Sequence, residues 1–576
     1  MNNKRYIVAF ILLHLSLKLI VNGQQVGFPK LLPNFPIKLD SGGFGDIYYC
    51  RTVLADFDGD STLELAISTA HNAVRKIHVI KQDGSYLLGW PLTLPFSNSA
   101  AIAVGNIDGA GNLDLVYYSE SLYVFHNNGI RFNGFPVWIN DSTNSSGYTL
   151  SLYDVDGNGT LEIITQSGNR VMVINRNGEM RNGWPRYVQG SVINKIAVGD
   201  LNNDGFAELV TTSTVWLEPP GQYVANRINV FQYDGSNFPG WPVEIDSNYH
   251  FGGGCDPIII QDSPIGPLIV INNNIVDSTL NTKSRLSIFY ANGQLFKQWP
   301  ISIDRYSSTI SVSDMNQDDT LDIVIPIVGK LMIFSLNGYS FPTQLMGAAN
   351  GIGGTPIGKV SLSNGLNIFG TRNWSLNDSS QIHIYDYEGN QLPWSPLITY
   401  GIPRAPVIGD LNNDGDIELV VVTNKGFDTS ETYLFAWTLP GISSAKENFP
   451  WPMYGHDRYR TSQYGFVPPD NIVGVPISEE NIPSAFSLAQ NYPNPFNPKT
   501  TIHYTLSTAA LVTLKVYDVL GREIATLFNN ENKDAGKFEV QFDASNVSSG
   551  IYFYRLSVTQ LGKLRYTETK KFVVMK

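Results

Sequence analysis

Along most of this chain, apolar residues alternate with polar or small ones in short runs instead of recurring every three or four positions. Leu63/Leu65/Ile67, Leu161/Ile163 and Leu419/Val421 follow a period of two, the mark of half-buried β-strands. The runs are grouped. Within a group, two runs are joined by a tight-turn dipeptide such as Asp83-Gly84, Asn128-Gly129, Asn177-Gly178, Asp234-Gly235, Asn292-Gly293 or Asn337-Gly338, whose tolerance of positive φ suits a two-residue hairpin. An aromatic residue followed by proline marks each group: Phe35-Pro36, Trp90-Pro91, Phe135-Pro136, Trp184-Pro185, Trp241-Pro242, Trp299-Pro300, Phe341-Pro342 and Trp451-Pro452, with Trp394-Ser395-Pro396 as a variant. One unit therefore reads as strand A, an acidic loop, strand B, a variable loop, strand C, a tight turn and strand D.

Four short strands repeated every 42 to 58 residues predict an all-β chain whose main body is a β-propeller. Nine markers bracket eight units if two units with degenerate loops, around Asp262 and Val360–Asn364, are counted. Eight four-stranded blades result, or seven if the terminal unit is incomplete, with an end strand shared to close the ring. The marker aromatics are expected in the wedges between blades, and the prolines where an outer strand ends, since a missing N–H does little harm at an edge.

The acidic loops carry the chemistry. Six copies stand before strand B: Asp56-Asp58-Asp60-Glu64, Asn106-Asp108-Asp114, Asp154-Asp156-Asn158-Glu162, Asp200-Asn202-Asp204-Glu208, Asp314-Asn316-Asp318-Asp322 and Asp410-Asn412-Asp414-Glu418. Oxygens at positions one, three, five and nine can turn inward around one hard cation, joined by the carbonyl of position seven (Thr62, Thr160, Phe206 or Thr320), and calcium is the natural occupant. Asx turns alone would explain a single copy, but they do not require an acid at position nine. Three or four carboxylates within about 5 Å repel by roughly 3 kcal/mol per pair at an effective dielectric near 20, so a cation is expected between them. Ala110 replaces position five in the second copy, which predicts a weaker or empty site there.

In a four-stranded blade the acidic A–B loops share one face of the disc and the B–C loops the other. The B–C segments swell at Thr214–Arg227 and Asn272–Arg285, with smaller insertions at Thr371–Gln381 and Thr423–Thr432. Loops on a rigid scaffold commonly carry binding residues, which makes Trp216, Tyr223, Arg227, Arg285, Arg372 and Trp374 the candidate ligand contacts; the alternative is that the insertions only cover the channel mouth. The eight histidines are scattered, and neither H-E-x-x-H nor G-x-S-x-G occurs, so no catalytic residue is assigned. Two function classes stay open: a non-enzymatic binding module for polysaccharide or protein, and a polysaccharide-degrading lyase or hydrolase assembled from separate blades.

Composition refines this picture at a few points. The net charge of −12 is concentrated in the loops, and six calcium ions would bring it near neutral, which argues against a nucleic-acid partner. Lys4-Arg5 followed by an apolar run from Tyr6 to Val21 reads as a secretory signal over residues 1–23, after which no stretch is apolar for long enough to span a bilayer. Cys50 and Cys255 fall at near-equivalent positions of repeats one and five, so two free buried thiols are expected. The chain is expected to act as a monomer.

The loops with their following strands resemble the FG-GAP or VCBS repeats of integrin α-chain propellers and of many secreted bacterial proteins, over about residues 24–465. Trp451-Pro452-Met453-Tyr454-Gly455-His456-Asp457 looks like a segment found at the edges of such bacterial propellers. An acidic, proline-bearing linker follows over 466–483. Residues 484–576 hold Asn491-Tyr492-Pro493-Asn494-Pro495-Phe496-Asn497-Pro498, Val516-Tyr517-Asp518-Val519-Leu520-Gly521-Arg522-Glu523 and Ser549-Gly550-Ile551-Tyr552-Phe553-Tyr554-Arg555-Leu556, a set similar to the type A sorting domain of cargo of the type IX secretion system. That resemblance implies an immunoglobulin-like sandwich, the type IX machinery as a partner, and a final location outside the cell or on the outer-membrane surface.

Overall fold

The structure is a computed structural model. It describes residues 19–41, 52–139, 149–245, 255–345, 355–439, 449–468 and 486–575, apart from short segments at 22–23, 27, 72–73, 96–99, 110, 193, 218–221, 262, 277–281, 306, 308, 328–329, 339–343, 362–364, 373–379, 426–430, 459, 465, 467, 492, 507–509, 534–535 and 561–562. Two compact units divide at Val475/Pro476. Among the described residues every regular element is a strand.

The first unit is a succession of antiparallel sheets in which the chain runs A, B, C, D from inner to outer strand. Sheet one is built from Val53–Ala55, Glu64–His71, Val74–Ile80 and Leu92–Pro95, and sheet two from Ala101–Gly105, Asp114–Tyr118, Ser121–Phe125 and Val137–Trp138. Eight such sheets are described, and sheet eight completes itself from the other end of the chain. Its strand C, Glu431–Leu439, takes the N-terminal segments Lys30–Leu31 and Ile37–Ser41 as its outer strand.

Apolar clusters fill the wedges between consecutive sheets. One joins sheets two and three through Val116, Leu122 and Leu152, another joins four and five through Ile228, Trp241 and Ile271, and a third joins eight to one through Val420, Leu434, Val53 and Leu65. The inner strand of sheet eight, Ile402–Gly409, lies beside that of sheet one, so the series closes into a ring.

The aromatic–proline markers staple this ring. Trp90, Trp184, Trp241 and Trp299 are buried, and each indole N–H donates to a backbone carbonyl in or beside the C–D turn of the next sheet: Asn127 at 2.8 Å, Tyr233 at 3.2 Å, Ala291 at 2.7 Å and Leu336 at 3.2 Å. Each ring also meets a phenylalanine of that next sheet edge to face. The prolines stand just before strand D rather than at its end, each after a cis peptide bond. Phe341-Pro342 lies outside the described residues.

Trp451-Pro452 is a different feature. Instead of marking an outer edge, residues 451–464 run along the inner strands. Trp451 bridges Ile357 of sheet seven, Ile408 N donates to the Pro452 carbonyl, and Val104, Val198 and Ile259 of sheets two, four and five donate to the carbonyls of Arg458, Thr461 and Ser462 at 3.0 Å each. Arg460, 2% exposed, donates to the carbonyls of Ile102, Thr52 and Tyr454. The chain thus fills the middle of its own ring.

The second unit packs a three-stranded sheet (Ser487–Leu488, Lys499–Leu506, Gly536–Asp543) on a four-stranded one (Glu523–Lys533, Ala510–Tyr517, Gly550–Gln560, Lys563–Val574). Alternate residues Ile502, Tyr504, Val512, Leu514, Tyr554 and Leu556 form the core between them. The Pro-Asn-Pro-Phe-Asn-Pro run straps the last strand. Val573 N donates to Asn494 Oδ1 at 2.9 Å, and Phe496 is buried against Phe542 and Phe572.

Candidate metal centres and a binding cleft

The acidic loops share one local design. The acid at position one accepts from the amides of later loop residues: Asp56 from Gly59 and Ser61, Asp200 from Asp204 and Gly205, Asp410 from Asp414 and Gly415. The acid at position nine stands at the start of strand B and turns back. One of its oxygens accepts from the amide at position two, as in Phe57→Glu64 at 2.8 Å, Val155→Glu162 at 3.1 Å, Leu201→Glu208 at 2.7 Å, Met315→Asp322 at 3.0 Å and Leu411→Glu418 at 2.9 Å.

This second acid is deeply placed. Glu64, Glu208 and Glu418 are fully buried, with Asp114, Glu162 and Asp322 nearly so. Burial, partly offset by the amide bond, raises Glu64 and Glu208 to about 8 and Glu162, Asp322 and Glu418 to about 7. The other oxygen, Oε1, of Glu208 and of Glu418 has no hydrogen-bond partner among the described residues. A buried carboxylate oxygen left in that state is costly unless a cation faces it.

The six loops then divide into two kinds. In loops one, two and three, ligand atoms lie within 4.8 Å of one another, from Asp56, Asp58 and Glu64, from Asp108, Asp114 and His126, and from Asp154, Asp156 and Glu162. In each of them a basic side chain has entered. Lys81 Nζ stands 2.7 Å from Asp58, 3.0 Å from Asp60 and 3.8 Å from Glu64. Arg181 pairs with Asp156, and with Glu162 at 3.2 Å. His126 Nδ1 is 3.3 Å from Asp114 and 3.6 Å from Asp108, so the copy expected to be the weakest has gained a nitrogen in place of its missing oxygen.

The other three, numbered four, six and eight after the sheets they belong to, meet no such base among the described residues. There the asparagine at position three, Asn202, Asn316 or Asn412, donates its amide to Asp204, Asp318 or Asp414 at 2.9, 2.9 and 2.8 Å. Asn158 accepts instead, from the Thr160 amide at 2.8 Å. Asn106 remains at position one of loop two. The clusters of loops one, two and three could hold metal ions, and among the described residues the acids of the other three loops do not converge as closely.

Lys81, His126 and Arg181 escape a search for ligand spacing because they come from the C–D hairpin. Lys81 and His126 both stand two residues before the turn dipeptide, a fixed offset that the repeat register does contain.

The candidate ligand residues are distributed unevenly. Much of what reads as B–C loop in repeats four and five is strand, in Glu208–Leu217 paired with Gln222–Phe231 and Leu268–Val276 paired with Thr282–Tyr290. Trp216 pairs with Tyr223 in the first hairpin. Arg372 ends a strand opposite Gln381, and Trp374 lies outside the described residues.

Arg227 and Arg285 come to one place. Arg227 Nε donates to Glu244 at 3.0 Å, and Glu244 and Arg285 both line a cavity of about 480 Å³ between sheets four and five, with Asn273, Ser287, Phe289 and Leu295. Cys255 is a buried free thiol accepting from Asn274 at 3.2 Å, while Cys50 lies outside the described residues.

Residues 490–575 match the family of secretion system C-terminal sorting domains. Such a domain directs the chain to the extracellular space or cell surface. No curated protein matches the chain. Solved structures that resemble it include the biofilm matrix protein Bap1 of V. cholerae, with 14% identity, coverage of 74% of this chain and 94% of that one, and a TM-score of 0.40. A rhamnogalacturonan lyase (PL11) of Bacillus licheniformis has 14% identity, coverage of 72% and 78%, and a TM-score of 0.44. The exotype rhamnogalacturonan lyase YesX has 13%, 78%, 85% and 0.45. Overlaps this loose transfer no site. Among the described residues, no helix is long and apolar enough to cross a membrane.

Proposed function

We propose that this chain is a secreted or surface-held adhesion module, a calcium-stabilised propeller of the FG-GAP/VCBS kind that binds a polysaccharide or protein ligand without cleaving it. Its leader (1–23) and its sorting domain (484–576) serve export through the type IX machinery. The observation that carries the reading is the pairing of a filled ring centre with a cavity between sheets four and five, flanked by the long hairpins that hold Arg227 and Arg285. A ligand is thereby offered the rim and not the axis.

Calcium belongs to the framework. The buried acids Glu208, Asp322 and Glu418 would face it with Asp200, Asp204, Asp314, Asp318, Asp410 and Asp414, and the unpartnered oxygens of Glu208 and Glu418 fit that use. Oxygen-only donors suit calcium. A glycan array probed with and without calcium, followed by product analysis on every glycan retained, tests the reading. Retention without new chain ends supports it, and cleavage products would replace it with the lyase or hydrolase alternative.

A further inference from the structure

Loop two, between Ala101–Gly105 and Asp114–Tyr118 of sheet two, brings a ring nitrogen to its carboxylates. Asp108, Asp114 and His126 each place one ligand atom within 4.8 Å of the other two. His126 Nδ1 lies 3.3 Å from Asp114 Oδ1 and 3.6 Å from Asp108 Oδ2. Ligand atoms held about 2.0–2.1 Å from one tetrahedral ion stand about 3.3–3.4 Å apart, so little adjustment would close these groups on a metal.

Neighbouring contacts already orient the groups. Asp114, 1% exposed, accepts at Oδ2 from the amides of Ile107 at 2.9 Å and Asp108 at 3.4 Å, and its Oδ1 is the oxygen that faces the imidazole. His126 stands two residues before the Asn128-Gly129 turn. Its amide donates to the Ile130 carbonyl at 2.8 Å, and its carbonyl accepts from Gly129 at 2.9 Å. Its ring stacks on Phe132 with the centroids 4.0 Å apart. Supporting contacts of this kind fix the orientation of ligands in metal centres. The side chains of His126 and Asp108 are 37% and 30% exposed, which leaves an entry path and a further coordination position open to solvent.

The comparison with loop one decides what the nitrogen can do. Lys81 also stands two residues before its turn dipeptide and reaches the acids of its loop, but an ammonium has no lone pair and can only replace a metal. A neutral imidazole has one to give. Calcium takes oxygen donors, and this loop has lost one of them to Ala110. One imidazole with two carboxylates suits a borderline first-row ion instead.

We propose that loop two is a zinc-type site, in which Asp108, Asp114 and His126 hold one divalent transition-metal ion and discriminate against calcium. Two carboxylates balance the charge of the ion. The inference goes beyond the adhesion reading and does not depend on it, since it concerns a second kind of metal in the framework.

The test is isothermal titration of the full chain with zinc chloride in millimolar calcium. Wild type is expected to take up one zinc equivalent more than His126→Lys, which converts loop two into the arrangement of loop one. His126→Gln should weaken that uptake by at least about a hundredfold, since loss of a mere supporting partner already costs 10–100-fold. In zinc-free buffer His126→Lys should melt close to wild type, which separates a lost ligand from a lost fold; if it melts far lower, His126→Gln decides. No saturable zinc uptake by wild type, unchanged uptake in the deciding variant, or displacement of zinc by an equal concentration of calcium would overturn the assignment. The glycan array judges the adhesion reading separately, so the failure of one leaves the other standing.

Discussion

Single side chains separate the acidic loops into two kinds. In loop one the Lys81 ammonium stands among Asp58, Asp60 and Glu64, the place a divalent ion would take, and hydrogen bonds to Asp58 and Asp60 raise its pKa and keep it charged. Arg181 plays this part in loop three. We predict that Lys81→Met adds one calcium equivalent in calorimetric titration. The same variant should melt lower than wild type in chelator, by the equivalent of about 1–3 kcal/mol, because like charges are left facing each other. An unchanged stoichiometry would sink the idea of a built-in cation.

Loops four, six and eight predict a pH dependence instead. In the metal-free fold Glu208 titrates at about 8 and Asp322 and Glu418 at about 7, whereas unfolded carboxyls titrate near 4. The folded state therefore binds more protons through that interval, and stability falls as pH rises from about 4 to about 8. Urea midpoints in excess chelator should decline from pH 5 to pH 8, and calcium should restore more of the loss at the higher pH. Midpoints that rise with pH in chelator would contradict the burial of these acids.

At the scale of elements, the chain displays what is local and conceals what is not. Period-two runs, Asn-Gly turns and the aromatic–proline markers are each written within a few residues, and they made an all-β propeller with repeating acidic loops legible. Strand D of sheet eight comes from some 400 positions earlier, and only the count of markers, with Phe35-Pro36 one more than the units require, points to that shared strand.

The hairpins of repeats four and five read as loops because Thr211–Thr214 and Asn272–Asn274 have a turn-like composition. Inside the sheets these residues are buried, and some of their polar groups find partners sideways. Thr214 donates to Asn226 at 2.9 Å, and Asn274 donates to the Ser307 carbonyl at 3.2 Å. The marker tryptophans are stabilising elements on this account, so Trp241→Phe should lower stability by about 1 kcal/mol, read from denaturant midpoints, through loss of one indole hydrogen bond to sheet five. Gly89→Ala should cost more, since φ is +94° and a Cβ would lie 1.9 Å from the Asn128 carbonyl oxygen.

The whole propeller unit is closed twice, by the N-terminal strand on sheet eight and by residues 451–464 within the ring. The second closure was the least legible feature, because the charged residues Arg458, Arg460, Asp457 and His456 give no local sign that they are buried against the inner strands. Arg460→Ala should lower stability by about 3 kcal/mol or more, since three backbone carbonyls lose a charged donor in a buried site. With the axis occupied by the chain itself, the proposed metal sites and the proposed ligand binding become separable properties, and the framework can be tested without knowing the ligand.

The most direct test is the thermal midpoint of the full chain in millimolar calcium and again in excess chelator, with calcium binding measured on the same sample. Binding confined to the folded state should raise the midpoint by at least about 5 °C over the chelated sample, with saturable uptake of calcium. Superimposable melting curves and no uptake would contradict the claim that cations pin these sheets into a ring.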